Sequence, residues 1–218
     1  MAKPMPPAGQ PKFKRRKADR PDEIVAAAMN VFAEKGFAAA RLDDIAARAG
    51  VSKGALYLYF ATKEDIFRAV IEQGVAPNLG RIQAALAEQH AAFPDLLRAV
   101  ATIVSDIATD SPVGGIIKMV IGESRNFPEL ARTWRERLVE PALGAMTAAI
   151  AAAQARGELR AGDPRCYAIS LVSPMLLGVI WRETFVPVGA EPLDIPTLAQ
   201  QHVELWLHGM RPDAGAAV

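Results

Sequence analysis

The stretch from Leu42 to Tyr57 constrains this chain more than any other, because two short helical patterns meet there at a glycine. Leu42, Ile45, Ala46 and Ala49 recur at helical spacing and share one side of the first pattern. Gly50 supplies a tight turn, Val51 an apolar plug for a small core, and Ser52 a cap for the next helix. That second helix is expected to run to about Phe60, with Leu56 and Phe60 turned inward. Ala46 is small enough for it to cross the first helix closely. Such punctuation specifies a helix-turn-helix.

Flanking segments follow the same periodicity. A first helix is expected near Asp19 or Arg20, with Asp19 as cap and Pro21 tolerated in the first turn. Ile24, Ala27, Ala28, Val31 and Phe32 make its apolar face, and Gly36 ends it. Thr62 caps a long fourth helix from Lys63, where Glu64 and Asp65 suit the positive dipole end. Helices are predicted near 63–89, 94–110, 113–125, 128–156, 163–186 and 192–209. Pro77, Pro141 and Pro174 fall inside them and imply kinks or divisions. With no strand alternation, the fold class is all-α.

Charge is segregated along the chain. Met1 to Lys63 holds twelve Lys/Arg against six Asp/Glu, while the remainder holds thirteen against eighteen. By charge alone, the N-terminal part suits either a polyanion or a basic tail that only aids solubility. Residues 1–18, with four prolines and Lys12, Lys14, Arg15, Arg16 and Lys17, read as a flexible basic arm. Two roles fit that arm: entry into a minor groove, or diffuse attraction only.

Other chemistry is not expected. Gly50-Val51-Ser52-Lys53-Gly54 matches the spacing of a nucleophile elbow, but it lies between helices rather than at a strand-to-helix turn. His90, His202 and His208 are scattered, so no metal site is expected. Neither a cofactor nor an enzymatic activity is expected. Cys166 is alone and reads as a small buried apolar residue. Gly114-Gly115 reads as an irregular helix start. Apolar runs broken before about 20 residues imply no membrane span, and a cytoplasmic protein is expected.

Ile45-Ala46, Ala49-Gly50-Val51-Ser52, Gly54, Leu56-Tyr57, Tyr59-Phe60 and Lys63-Glu64 together resemble the N-terminal signature of the TetR family of transcription regulators. The resemblance covers Asp19 to about Phe67. It implies a three-helix head, residues 19–63, joined by the long fourth helix to a helical effector-binding and dimerisation body, residues 64–210. A short tail, residues 211–218, would follow. The implied function is a ligand-responsive repressor binding palindromic operator DNA as a homodimer and released by a small, mainly apolar or aromatic effector. A helical ligand-binding or adaptor protein without DNA regulation is the alternative.

The residues fit that role physically. Ser52 caps the recognition helix and offers donors to a phosphate. Lys53 suits guanine, Gly54 and Ala55 permit close approach, and Tyr57 and Tyr59 suit phosphate clamping. Leu58 is either an apolar base contact or simply exposed, and Lys63 is expected on a phosphate. Arg41 stands where many relatives have Ser or Thr, and a charged phosphate contact there would replace the hydroxyl one. In the body, Met119, Phe127, Trp134, Trp181 and Phe185 are candidates for an effector pocket, or else plain core. Leu171, Met175, Gly178 and Val179 make one stripe, and Leu198, His202, Leu205 and Trp206 another. Each stripe suits either a dimer seam or its own subunit's core.

Overall fold

A computed structural model describes residues 20–88 and 91–212. The arm, the Asp19 cap, His90 and the tail from residue 213 lie outside the described residues. All regular structure among the described residues is helical. The head holds α1 (Arg20–Ala39), α2 (Leu42–Ala49) and α3 (Lys53–Tyr57). Next, α4 (Lys63–Ala69) passes through a π turn (Val70–Val75) into α5 (Ala76–Leu86). The body continues with α6 (Phe93–Asp110), α7 (Val113–Glu123) and α8 (Pro128–Trp134). A second π turn (Arg135–Val139) leads to α9 (Glu140–Ala155), followed by α10 (Pro164–Thr184) and α11 (Ile195–Gly209).

Both π turns sit just before a proline. Proline lacks an N–H and its ring clashes with the carbonyl four residues back, so a helix cannot pass through it unaltered. Pro77 and Pro141 therefore fall in the first turns of α5 and α9, where that N–H is not needed. Pro174 instead lies inside an unbroken α10.

Two main apolar cores result. The first gathers Phe32 and Phe37 of α1, Ile45 of α2, Leu56 of α3, Phe67 of α4, Ile116 and Met119 of α7 and Leu130 of α8. It crosses residue 63, so the head ends there in topology but not in packing. Phe37 is its hub, with ring centroids 5.5 Å from Phe32, 6.0 Å from Phe67 and 5.1 Å from Phe127. Such pairs add about 0.5–1.5 kcal/mol each beyond burial. The second core joins α6, α9, α10 and α11 through Leu97, Met146, Ile150, Leu171, Val203 and Trp206.

The two glycines that open α7 are packing devices, not an irregular start. A Cβ on Gly115 would lie 2.6 Å from the Cβ of Ala33 on α1. One on Gly114 would collide with Arg182 and come within 3.1 Å of Val179, both on α10. Adjacent bare backbone positions thus let α7 press on the head with one side and on the body with the other.

One further expectation is corrected and a second is qualified. Cys166 is exposed; it lies in the first turn of α10, where Asp163 accepts from its amide. That carboxylate, first by a hydrogen bond and then by its charge, raises the thiol's pKa. Second, Pro128–Ala155 and Pro164–Val188 are each long and apolar enough to cross a membrane by length and composition. Alanines raise the hydropathy of one, and α10 carries apolar residues on both its buried and its exposed sides.

Candidate nucleic-acid interface

α3 is short because its neighbours confine it. Gly50 turns left-handed at φ 65°, ψ 31°, ending α2 and sending its amide to the carbonyls of Ala46 and Ala47. Ser52 then caps α3, its hydroxyl accepting from the Ala55 amide at 3.1 Å. The helix stops at Tyr57 rather than Phe60, since Tyr59 and Phe60 amides turn back onto the Leu56 carbonyl. Thr62 restarts the chain as a cap, accepting from the Asp65 amide at 3.0 Å while Asp65 accepts from the Thr62 amide at 3.1 Å.

One face of α3 is anchored and the other is bare. Leu56 is fully buried, whereas Ser52, Lys53, Gly54, Tyr57, Leu58 and Tyr59 are exposed and Ala55 is half-buried. Leu58 is 82% exposed, an unusual position for a leucine in a head this small. Gly54 is unforced: a Cβ there meets nothing within 4 Å. Glycine costs a helix about 0.5–1 kcal/mol relative to alanine, so packing does not account for it.

Lys53 is held across the turn by Asp43, with Nζ to carboxylate distances of 2.9 and 3.1 Å. Its pKa is raised by that hydrogen bond and then by the charge behind it. The ammonium is therefore charged and positioned over the α2–α3 surface. Arg41 is exposed at the start of α2, where Asp44 accepts from its amide at 3.3 Å. A guanidinium has no acceptor, so the hydroxyl half of a reciprocal cap is missing there. Arg48 pairs with Glu34 at 2.7 and 2.8 Å, tying α2 to α1.

Lys63 departs from the expectation of a phosphate contact. Its ammonium donates to the carbonyls of Phe37, Ala38 at 3.3 Å and Ala40 at 3.1 Å, and sits 4.4 Å from the Phe37 ring centroid. All three donors close off the end of α1, which has carbonyls without helical partners. It positions the head rather than facing outward. Glu123, which sequence reasoning missed, does the converse for the amides: its carboxylate accepts from Phe37 and Ala38, each at 2.7 Å.

Comparison with known proteins agrees with this geometry. Residues 24–70 match the model of bacterial regulatory proteins of the tetR family, and residues 91–194 match a tetracyclin repressor-like C-terminal domain. The chain belongs to the TetR family. An uncharacterized HTH-type transcriptional regulator of Bacillus subtilis, YfiR, is 39% identical over 69 residues, 32% of this chain and 34% of that protein. The chain thus spans about a third of the length of the curated relatives it matches. A tetR-family structure from Mesorhizobium loti superposes with TM-score 0.70 at 23% identity, covering 90% of this chain and 98% of its own. Bacillus subtilis FadR, solved in complex with stearoyl-CoA, gives TM-score 0.68 at 23% identity, covering 87% and 99%.

In the TetR body most candidates at both weaker sites take the core alternative. The five pocket candidates are not brought together. Met119 is buried in the first core, with Phe127 and Trp134 packed against it. Trp181 and Phe185 pair with each other at 5.2 Å, and the Trp181 indole donates to the Glu191 carbonyl. Of the two seam stripes, Leu171, Gly178, Val179 and Trp206 are buried within their own subunit. Met175, Leu198 and His202 are half-buried, the His202 Nε2 lying 3.0 Å from the Leu171 carbonyl. Gly178 lies under Ile195 and Leu198, which is how α10 and α11 cross closely. Only Leu205 remains outside. The exposed apolar stripe on α10 is displaced from the expected one, to Ile169, Val172, Leu176 and Leu177.

Proposed function

We propose that this chain is a ligand-responsive transcription regulator that binds a palindromic duplex as a homodimer, most directly as a repressor released by a small effector. The observation that carries this is α3, which buries Leu56 and leaves Lys53, Gly54, Tyr57 and Leu58 as one continuous outer surface. In the major groove, Lys53 would donate to a base acceptor, Gly54 and Ala55 would allow backbone approach, and Leu58 would meet a thymine methyl. Tyr57 and Tyr59, with Ser52 and Arg41 at the flanks, would hold phosphates. Lys63 serves by fixing the head, not by touching DNA.

Two half-sites need two heads. The exposed stripe Ile169, Val172 and Leu176 on α10, with Leu205 on α11, is the surface we assign to the twofold seam. Apolar side chains at this spacing are costly in water and suit a second copy. Effector binding in the body would favour a state whose heads no longer match successive grooves, so release follows from differential affinity. The α7 helix supplies the mechanical link, pressed against Val179 and Ala33 and bonded through Glu123. Support for an apolar effector comes from a lean apolar recess between α6, α9, α10 and α11, about 60 Å³, and from the stearoyl-CoA held by FadR. Such a regulator works beside the chromosome, in the cytoplasm.

Selection of genomic fragments by purified protein, together with sedimentation of the free chain, tests this. Enrichment of an inverted repeat and a dimer mass are expected. A monomer with no enriched sequence would overturn it.

A further inference from the structure

A cleft of about 390 Å³ opens between α6 and α11. It shares Ala101, Ala199 and Val203 with the apolar recess behind it. This wall of two alanines and a valine is thin, and the recess beyond includes Met146 and Met175, which repack easily. Together the spaces reach the size typical of small-molecule sites.

The cleft offers a hydroxyl and a carboxylate beside its apolar wall. Ser105 is the only buried polar side chain among the described residues, 6% exposed, and it lines the cleft without a hydrogen bond there. Its hydroxyl is not among the buried unpartnered polar atoms of the described residues, so it is reached from the cleft and can bond a ligand there. Beside it, Asp106 lines the cleft with no ion-pair or hydrogen-bond partner among the described residues. The other charges there are spent on each other. Arg98 holds Glu204 through two bonds at 2.7 and 3.2 Å and Asp95 through a third at 3.2 Å. The Arg98–Glu204 pair cancels, and one carboxylate is left over. An anionic headgroup would meet a guanidinium already engaged and a carboxylate that repels it.

We propose that this cleft takes an amphiphilic organic cation: an ammonium donating to Asp106 and Ser105, with its apolar part against the Ala101–Ala199–Val203 wall and the recess behind. This deepens the effector reading above and rests on it for its biological meaning, though not for its chemistry. Methionines and small residues at the wall suit alkyl or aryl groups rather than one fixed shape.

Isothermal calorimetry on the full dimeric chain at neutral pH tests the site with n-hexylamine, 1-hexanol and hexanoate, which share a tail and differ in headgroup charge. Hexylamine should bind several-fold more tightly than hexanoate, since the exposed Asp106 carboxylate attracts one headgroup and repels the other across screening water. Asp106→Asn, an exposed substitution that leaves the fold intact, should remove most of that preference and spare hexanol. Ser105→Ala should weaken hexylamine at unchanged melting temperature. Equal or tighter binding of hexanoate, no measurable binding of hexylamine, or an Asp106→Asn protein that keeps the preference would overturn the proposal. Operator release by hexylamine is read separately: amine binding without release leaves the cleft assigned and contradicts its role in regulation.

Discussion

The Glu123 carboxylate at the end of α7 accepts the Phe37 amide at 2.7 Å, joining the body to the point where α1 breaks at Gly36. Gly36 has φ 76°, a conformation that strains other residues, and a Cβ there would collide with the same carboxylate. Head and body meet at one polar clasp over a shared aromatic core.

Glu123→Ala should therefore cost about 1–3 kcal/mol in urea unfolding, because the part-buried Phe37 amide and the exposed Ala38 amide both lose a charged acceptor. Gly36→Ala should cost at least as much. The double variant should lose less than the sum, since the collision disappears with the carboxylate. Additive losses would show that the clasp is not shared.

Lys63→Met should lower the melting temperature, by the equivalent of about 1–3 kcal/mol, because three carbonyls at the end of α1 lose their donor. The salt dependence of DNA binding should keep its slope, as no phosphate contact is removed. A slope reduced by about one unit would return Lys63 to the phosphate backbone.

Asp43 holds Lys53 across the turn, and both are exposed, so the pair adds little stability. Lys53→Ala should flatten base preference at one operator position by about 1–3 kcal/mol while sparing the fold. Asp43→Asn should remove a repelling carboxylate and tighten binding to all duplexes. Binding assays on single-base operator variants distinguish the two effects; a uniform loss with Lys53→Ala would place that lysine on a phosphate instead.

Glu158 accepts the Phe93 amide at the start of α6 at 2.8 Å. The neighbouring Arg156, then this amide, lower its pKa below the ordinary 4.5. A depressed carboxylate contributes stability that is complete above its unfolded value and is lost as pH falls through its folded value. Glu158→Gln should thus lower the melting temperature at pH 7 and flatten its decline below about pH 4.5. An unchanged acid limb would contradict this.

How much the sequence disclosed depended on whether the signal was local. The α2–turn–α3 unit was legible because Ala46, Gly50 and Ser52 each act on their immediate neighbours. Helix bounds in the body followed prolines closely. The part Lys63 plays within the head was not legible, because its partners there are backbone carbonyls of α1, which leave no trace in residue type. The exposed stripe of α10 was not legible for another reason: α10 is apolar on several sides, from Ile169 through Leu171 and Val172 to Leu177, and at about 100° per residue such a helix has no readable phase. Pocket and core stayed open as alternatives for Met119, Phe127 and Trp134 because a large apolar side chain looks the same whether it lines a void or fills one. The unpaired Ser105, invisible as a signal in sequence, needed its surroundings to become one.

The central claim is that the bare face of α3 enters duplex DNA, and exposed Gly54 tests it most directly, since a Cβ there meets nothing within 4 Å in the free protein. Fluorescence anisotropy of Gly54→Leu on a selected duplex and on a shuffled one is the measurement. A melting temperature that is not lowered, with loss of the selective binding, is the predicted result. A Gly54→Leu protein that binds the selected duplex as tightly as the parent would contradict the account.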